Sequence, residues 1–368
     1  MCADVAPGLS FSSDGSEPLS FEAAGNLSLE DIVIKSLPGR GKFLFRYKSN
    51  VDSKDGRNYT HEELTGGAVH LSKPECFNDP FDSRPACDMK TASLKLAKNY
   101  LDVLRWDGEA PESVHEAFVA IRECYKRYRN SGGVLDFSTL ELNEGASLAF
   151  GLITDLLIKF SGGLDSLSEE SLCLTLTRVL EDEMAICSNH MRIACFSSNA
   201  NSNYMWAHYS NNYKGICIAY PFPGGAGVEL DENLSWLANV IYPVRYSLER
   251  YDMSESIADM AIGKLGKREI DALFARTYLS KGIEWFQERE WRLALVRNDG
   301  RLDGSSCVPF PKPVFVLAGC KMPDRDYAKL EEICSKREIA VVKTKESMVC
   351  FQPEIDEDSG GADVFRTS

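Results

Sequence analysis

Apolar residues recur along the chain with two different periods, and the changes between them mark out the elements. From Lys42 to Lys48 they alternate: Phe43, Phe45 and Tyr47 share one face while Leu44 and Arg46 take the other, which predicts a strand. Ala68 to Ser72 predicts the next. Ile193 to Phe196 form a solid apolar run that stops at Ser197, Ser198 and Asn199, and a second run opens at Gly215. This is the pattern of two buried strands joined by a polar crossing, and the crossing carries Met205-Trp-Ala-His-Tyr209. Further strands are expected at Asn239 to Tyr246, where Pro243 implies an edge or a bulge, and at Gln287 to Val296, with Glu288, Glu290 and Arg292 on one side. Val314 to Gly319 and Ile339 to Lys343 complete the set.

Between Thr91 and Glu183 the period lengthens. Leu152 and Leu156, and Ile153 and Leu157, recur at helical spacing, and helices are predicted over 95–106, 111–129, 140–160 and 168–184. Ser131-Gly-Gly and Ser161-Gly-Gly-Leu separate them. A short capped helix is expected from Ser28, a helical turn at Thr60 to Leu64, and further helix over 255–286 and 325–336. The sum is an α+β fold: one domain at 29–353 with a mixed, mostly antiparallel sheet of about six to eight strands and a helical insertion at 90–185. Residues 1–28, rich in Ser, Gly, Glu and Ala, and the acidic stretch 354–368 are expected to be disordered tails.

Composition narrows the function classes. With 368 residues, 44% of them hydrophobic, the chain has material for a substantial core. A formal net charge of −14 excludes a broad nucleic-acid surface, which needs Lys and Arg to displace counterions. The twelve cysteines are scattered without a C-x-x-C pair, which reads as reduced thiols in the cytoplasm. The start lacks a signal-peptide pattern, and no apolar run approaches the roughly 20 residues a membrane span needs. A soluble, intracellular protein is expected, with no membrane partner.

Several segments together resemble a known family. Phe45-Arg-Tyr47, Leu71-Ser-Lys-Pro-x-x-Phe-Asn-Asp-Pro-Phe-Asp82, Cys195-Phe-Ser197, Met205-Trp-Ala-His-Tyr-Ser-x-Asn212, Lys214-Gly-Ile-Cys-Ile218 and Glu288-Arg-Glu-Trp-Arg292 appear in the order found in the bacterial domain-of-unknown-function family 2971. The resemblance runs from about 43 to 352 and carries no reaction with it.

A second resemblance concerns chemistry. Arg46, Ser197-Ser198 and Glu288-x-Glu290 look like the arginine-serine-glutamate signature of ADP-ribosyltransferases, although Ser198 and Asn199 depart from its Ser-Thr-Ser run. That resemblance implies NAD as substrate, with Arg46 holding phosphate, Ser197 bracing the site, and Glu290 stabilising the oxocarbenium formed as nicotinamide leaves. Glu288 would orient or deprotonate an acceptor, which can be a protein. Tyr47, Trp206, His208, Tyr209 and Arg292 would line the pocket for a nucleotide or another small molecule. The same charges fit a structural ion-pair network equally well, with Lys281 and Arg289 as ordinary solvated charges.

Two other accounts stay open. In one, Asp79 and Asp82 of the rigid Asn78-Asp-Pro-Phe-Asp82 loop join Glu288 or Glu290 around a hard cation in a hydrolase or nuclease, though Asn78 and Asp79 also suit plain turn capping. In the other, the chain is a non-enzymatic ligand-binding or interaction module. A lone His208 among aromatics is more often a core residue. Cys187, His190 and Cys195 lack a fourth zinc ligand, so no metal is expected, and Cys195 in its apolar strand reads as a buried, inert thiol.

Overall fold

The computed structural model describes residues 42–52, 56–130, 144–163, 166–225, 227–297, 299–304 and 306–356. The expected helix from Ser28 and the expected tail at 1–28 lie outside these residues, as does most of 354–368.

The elements follow in the order β1 (Phe43–Lys48), α1 (Tyr59–Gly66), β2 (Ala68–His70), α2 (Met89–Val103), α3 (Val114–Asn130), α4 (Glu144–Ser161) and α5 (Glu169–His190). Then come β3 (Met191–Ser197), α6 (Asn203–Tyr209), β4 (Ile216–Pro221), β5 (Ile241–Pro243), β6 (Arg245–Ser247), α7 (Ser254–Ala261), α8 (Lys267–Tyr278) and β7 (Ser280–Gly282). The chain closes with β8 (Glu290–Val296), β9 (Cys307–Pro309), β10 (Phe315–Ala318), α9 (Asp324–Ser335), β11 (Ala340–Glu346) and β12 (Pro353–Ile355).

The main sheet has eight strands in the order β12-β11-β10-β4-β1-β3-β8-β5. All its pairings are antiparallel except β10 with β11, so the fold is α+β with a mixed, mostly antiparallel sheet. Pro243 sits on the edge strand β5, where a missing N–H breaks no ladder. β3 and β4 are both strands, but β1 lies between them, and the crossing that joins them is the helix α6.

The alternation in β1 sorts the sheet into two faces. Leu44, Phe196, Ile218, Leu293 and Val316 pack on one side, against Leu64 of α1 and Leu330 and Cys334 of α9. Tyr47, Cys217, Ala219 and Leu317 pack on the other, against Met205 and Trp206 of α6. That second face continues across β3 and β8, where Ser197 stands opposite both Phe45 and Glu290, and Cys195 opposite Arg292.

Helices α2 to α5 form the expected helical block. Its core, built on Leu96, Tyr100, Ile121, Ile153, Leu157 and Leu176, also takes in Ile257 of α7 and Leu273 of α8. The α5 N-terminus is closed by a capping box between Ser168 and Ser171. α5 runs directly into β3, and Tyr278, the last residue of α8, accepts a hydrogen bond from Arg292 of β8.

Candidate active site

Glu288 and Glu290 do not belong to one strand. A 3-10 turn over Ile283–Glu288 ends at Arg289, which takes a left-handed conformation with φ 46°, and β8 begins only at Glu290. The turn aims both carboxylates at Lys281 on β7, whose Nζ lies 2.5 Å from Glu288 Oε2, 3.1 Å from Glu290 Oε2 and 3.4 Å from Asp82 Oδ2. The other cation is Arg292, fully buried beneath them. Its Nε donates to Glu290 Oε1 at 2.7 Å, its Nη2 to both Asp82 oxygens at 2.8 and 2.7 Å, and its Nη1 to Ser83 Oγ at 3.0 Å and the Tyr278 carbonyl at 2.7 Å.

The Asn78–Pro85 loop reaches the sheet because the chain before it is tied down. Ser72 and Ile193 exchange both backbone hydrogen bonds at 2.8 Å, and a 3-10 turn over Pro74–Cys76 follows. Asp79 then accepts the Phe81 N–H at 2.9 Å in a turn of the kind Asx residues favour. Capping is therefore Asp79's role, whereas Asp82 enters the ion network. Asn78 donates to the Tyr209 hydroxyl at 3.2 Å, and that hydroxyl donates to Glu288 Oε1 at 2.6 Å.

Ser197 holds this arrangement through the backbone. Its hydroxyl donates to the Glu288 carbonyl at 2.6 Å and accepts from the Asn199 N–H at 3.1 Å, while the Glu290 N–H donates to the Tyr246 hydroxyl at 2.8 Å. Ser198 and Asn199 carry no charge into the site: the Ser198 N–H is bonded to the Arg289 carbonyl.

Electrostatics split the two glutamates. Burial disfavours charge on both. For Glu290, Arg292 and Lys281 outweigh burial and hold the carboxyl at about 2. For Glu288, burial and the neighbouring Glu290 charge prevail over Lys281, and its pKa is raised. Lys281 also loses hydration, but the carboxylates around it push its pKa up, so it remains an ammonium. A pair of carboxyls driven apart in this way is the arrangement that separates an acid or base from a permanent anion.

Several expected site residues are elsewhere. Arg46 points to the opposite face of the sheet, where it donates to Glu63 Oε1 at 3.2 Å and to the His70 carbonyl at 3.1 Å and lies over Phe196. Lys48 and the Tyr220 hydroxyl also reach the buried Glu63, at 3.0 and 2.9 Å. Tyr47 is buried, donates to the Asn199 carbonyl at 2.9 Å and meets Trp206 edge-on. Trp206 is core, with its indole N–H on the Ala200 carbonyl at 3.1 Å. His208 is exposed and packs on Tyr204, so it is not the core residue its setting suggested. Burial raises the Cys195 thiol well above its ordinary pKa, as expected for an inert cysteine. Among the described residues no group of three or more His, Cys, Asp or Glu is arranged to hold a metal.

Lys281 departs furthest from what its sequence setting predicts. Read as a solvated charge within a helical stretch, it lies at the centre of the network. The cue was Tyr278-Leu-Ser-Lys-Gly-Ile283, where Gly282 ends helical spacing.

Outside the network lies a cleft of about 550 Å3 between the Asn78–Pro85 loop, residues 247–251 and the 276–285 stretch. Lys281, Ser83 and Asn78 line it, while Glu288, Glu290 and Arg292 stand behind that wall.

Residues 205–293 match the family model described as a protein of unknown function, DUF2971. The DUF2971 match covers Tyr209, Lys281, Glu288, Glu290 and Arg292, so most of the network falls within it, and Asp82 and Ser197 are supplied from outside. No curated protein and no solved structure matches the chain, and the comparisons lend no support to the ADP-ribosyltransferase resemblance. No helix among the described residues is long and apolar enough to cross a membrane.

Proposed function

We propose that this chain is an NAD-using enzyme of the ADP-ribosyltransferase type, working at the glutamate pair beside the cleft. The observation that carries the reading is the hydrogen bond from Ser197, at the end of β3, to the Glu288 carbonyl in the turn that leads into the neighbouring β8, which joins the serine and Glu-x-Glu segments. Glu290, kept ionised by Arg292 and Lys281, is suited to stabilise an oxocarbenium, and Glu288, with its raised pKa, to take a proton from an acceptor. Ser197 is a positioning residue. Arg46 drops out of the phosphate-binding role, because its guanidinium is committed to Glu63 on the other face.

The test is nicotinamide release from NAD by the wild type, Glu290→Gln and Glu288→Gln, with thermal melts to show that each variant folds. The reading expects release that falls by about 100-fold or more in Glu290→Gln, the scale of removing an electrostatic stabiliser. Glu288→Gln should retain hydrolysis while losing transfer to an added acceptor. Wild type that neither binds NAD nor releases nicotinamide ends this reading.

A second reading, a non-enzymatic ligand-binding module, is favoured by one specific observation: both glutamates are already paired with Lys281 or Arg292 and neither lines the cleft. On the cleft side the Lys281 ammonium stands against both carboxylates. The same cation weighs against the metal-dependent hydrolase, since it occupies the point on which Asp82, Glu288 and Glu290 converge.

A further inference from the structure

The cleft has a chemistry of its own, separate from the glutamate pair behind it. On a chain with a formal charge of −14, its lining brings Arg84, Arg250 and Arg276 together with Lys281. Asp79, Glu249 and Glu284 also face it. The Lys281 charge is balanced by the carboxylates behind it, and Asp79 is buried and turned to the Phe81 N–H, so the exposed charges of the lining are Arg84 and Arg250 with Glu249 and Glu284. Arg84 and Arg250 are exposed, and neither has an ion-pair partner among the described residues.

Two further observations point to a ligand. Thr277 is 6% exposed, yet its Oγ1 has no hydrogen-bond partner among the described residues, and the residue lines both this cleft and an adjoining one of about 360 Å3. A buried hydroxyl without a partner is costly, and this one lies in the wall of the cleft. Phe81 is 64% exposed at the cleft edge, with the Arg250 guanidinium 5.5 Å from its ring centre. An exposed aromatic beside a guanidinium offers a flat surface for a ring next to a phosphate anchor. The volume lies within the roughly 300–1,000 Å3 of small-molecule sites.

We propose that this cleft binds a phosphate-bearing small molecule with a flat ring, of the nucleoside diphosphate class. Arg84 and Arg250 meet the phosphates, and Phe81 stacks on the ring. Arginine suits the role because its planar fork pairs with two phosphate oxygens at once. The site does not depend on the reaction proposed above, because binding needs neither glutamate.

The experiment is calorimetric titration of the full chain with ADP and with inorganic pyrophosphate, at low and at physiological salt. Both should bind, more weakly at the higher salt, and the Arg84→Ala/Arg250→Ala double variant should bind each about tenfold or more weakly. Both side chains are exposed, so the double variant is expected to melt like the wild type. Phe81→Ala should weaken ADP and leave pyrophosphate unchanged. Wild type that binds neither compound overturns the site, as does a double variant that binds as well as the wild type. Binding of ADP without nicotinamide release from NAD keeps the site and removes the reaction. Nicotinamide release by a chain that binds neither ADP nor pyrophosphate does the opposite.

Discussion

Arg292 on β8 and Asp82 in the Asn78–Pro85 loop stand 210 positions apart in the chain, and one guanidinium nitrogen reaches both carboxylate oxygens at 2.8 and 2.7 Å. The pair clamps the loop to the sheet. Around it, Lys281, Glu288 and Glu290 complete a buried set in which three carboxyls share two cations. Such a set is expensive to assemble, because each ion leaves water, and more expensive to break, because a survivor stays buried without its partner.

Asp82→Asn should therefore destabilise the protein by about 3–5 kcal/mol, the range for removing one partner from a buried pair. Urea denaturation measures it. A change within about 0.5 kcal/mol, ordinary for a surface site, would mean that the loop is not held by Arg292.

The two glutamates should give opposite pH signatures. Glu290 has a depressed folded pKa, so its contribution is present above the ordinary carboxyl value of 4.5 and is lost as pH falls towards about 2. Glu288 has a raised one, so its contribution is present at low pH and is lost as pH rises above the ordinary value. Denaturation midpoints across acid and neutral pH should flatten on the acid side in Glu290→Gln. In Glu288→Gln the fall above the ordinary carboxyl value should disappear. Identical profiles for both variants would contradict the split.

Tyr209→Phe removes the hydroxyl that donates to Glu288 Oε1 at 2.6 Å. That bond favours the charged carboxylate, so its loss should move the Glu288 pKa further up. Carbon NMR of the labelled carboxyl follows the titration directly, and a downward shift would contradict this geometry.

Arg46 should matter for folding and not for the site. Its partner Glu63 is buried and also receives Lys48 and the Tyr220 hydroxyl. Glu63→Ala should cost about 3–5 kcal/mol by leaving cations in the interior. Arg46→Lys should leave ADP affinity unchanged in calorimetry; a tenfold loss would return Arg46 to a ligand-binding role.

Much of the fold was legible in the chain, because periodicity is a local signal. The alternation of Phe43, Phe45 and Tyr47 against Leu44 and Arg46 already placed Arg46 on the opposite face of β1 from Tyr47. The strands β3, β4, β10 and β11, the helical block and the edge position of Pro243 follow from patterns a few residues long. Ser197 and the Glu-x-Glu segment were singled out by their likeness to a known signature, and the structure brings them into contact through the Glu288 carbonyl.

What the sequence could not supply is who meets whom. Strand order puts β1 between β3 and β4, and that choice depends on long-range pairing, which no local pattern encodes. A regular strand through 288–292 would have spaced the glutamates along one face, but the left-handed turn at Arg289 makes both converge on Lys281. Lys281 itself looked like a surface charge because lysine is almost never buried unless paired, and its partners come from Asp82, Glu288 and Glu290. The sequence alone determined most of the strands and helices and the residue types available for charge pairing, but not the break of the expected 255–286 helix into two helices, the short strand β7 and a 3-10 turn. Tertiary structure alone decided which charges neutralise one another, because pairing energy depends on distance and burial, and both are set only when remote segments pack together.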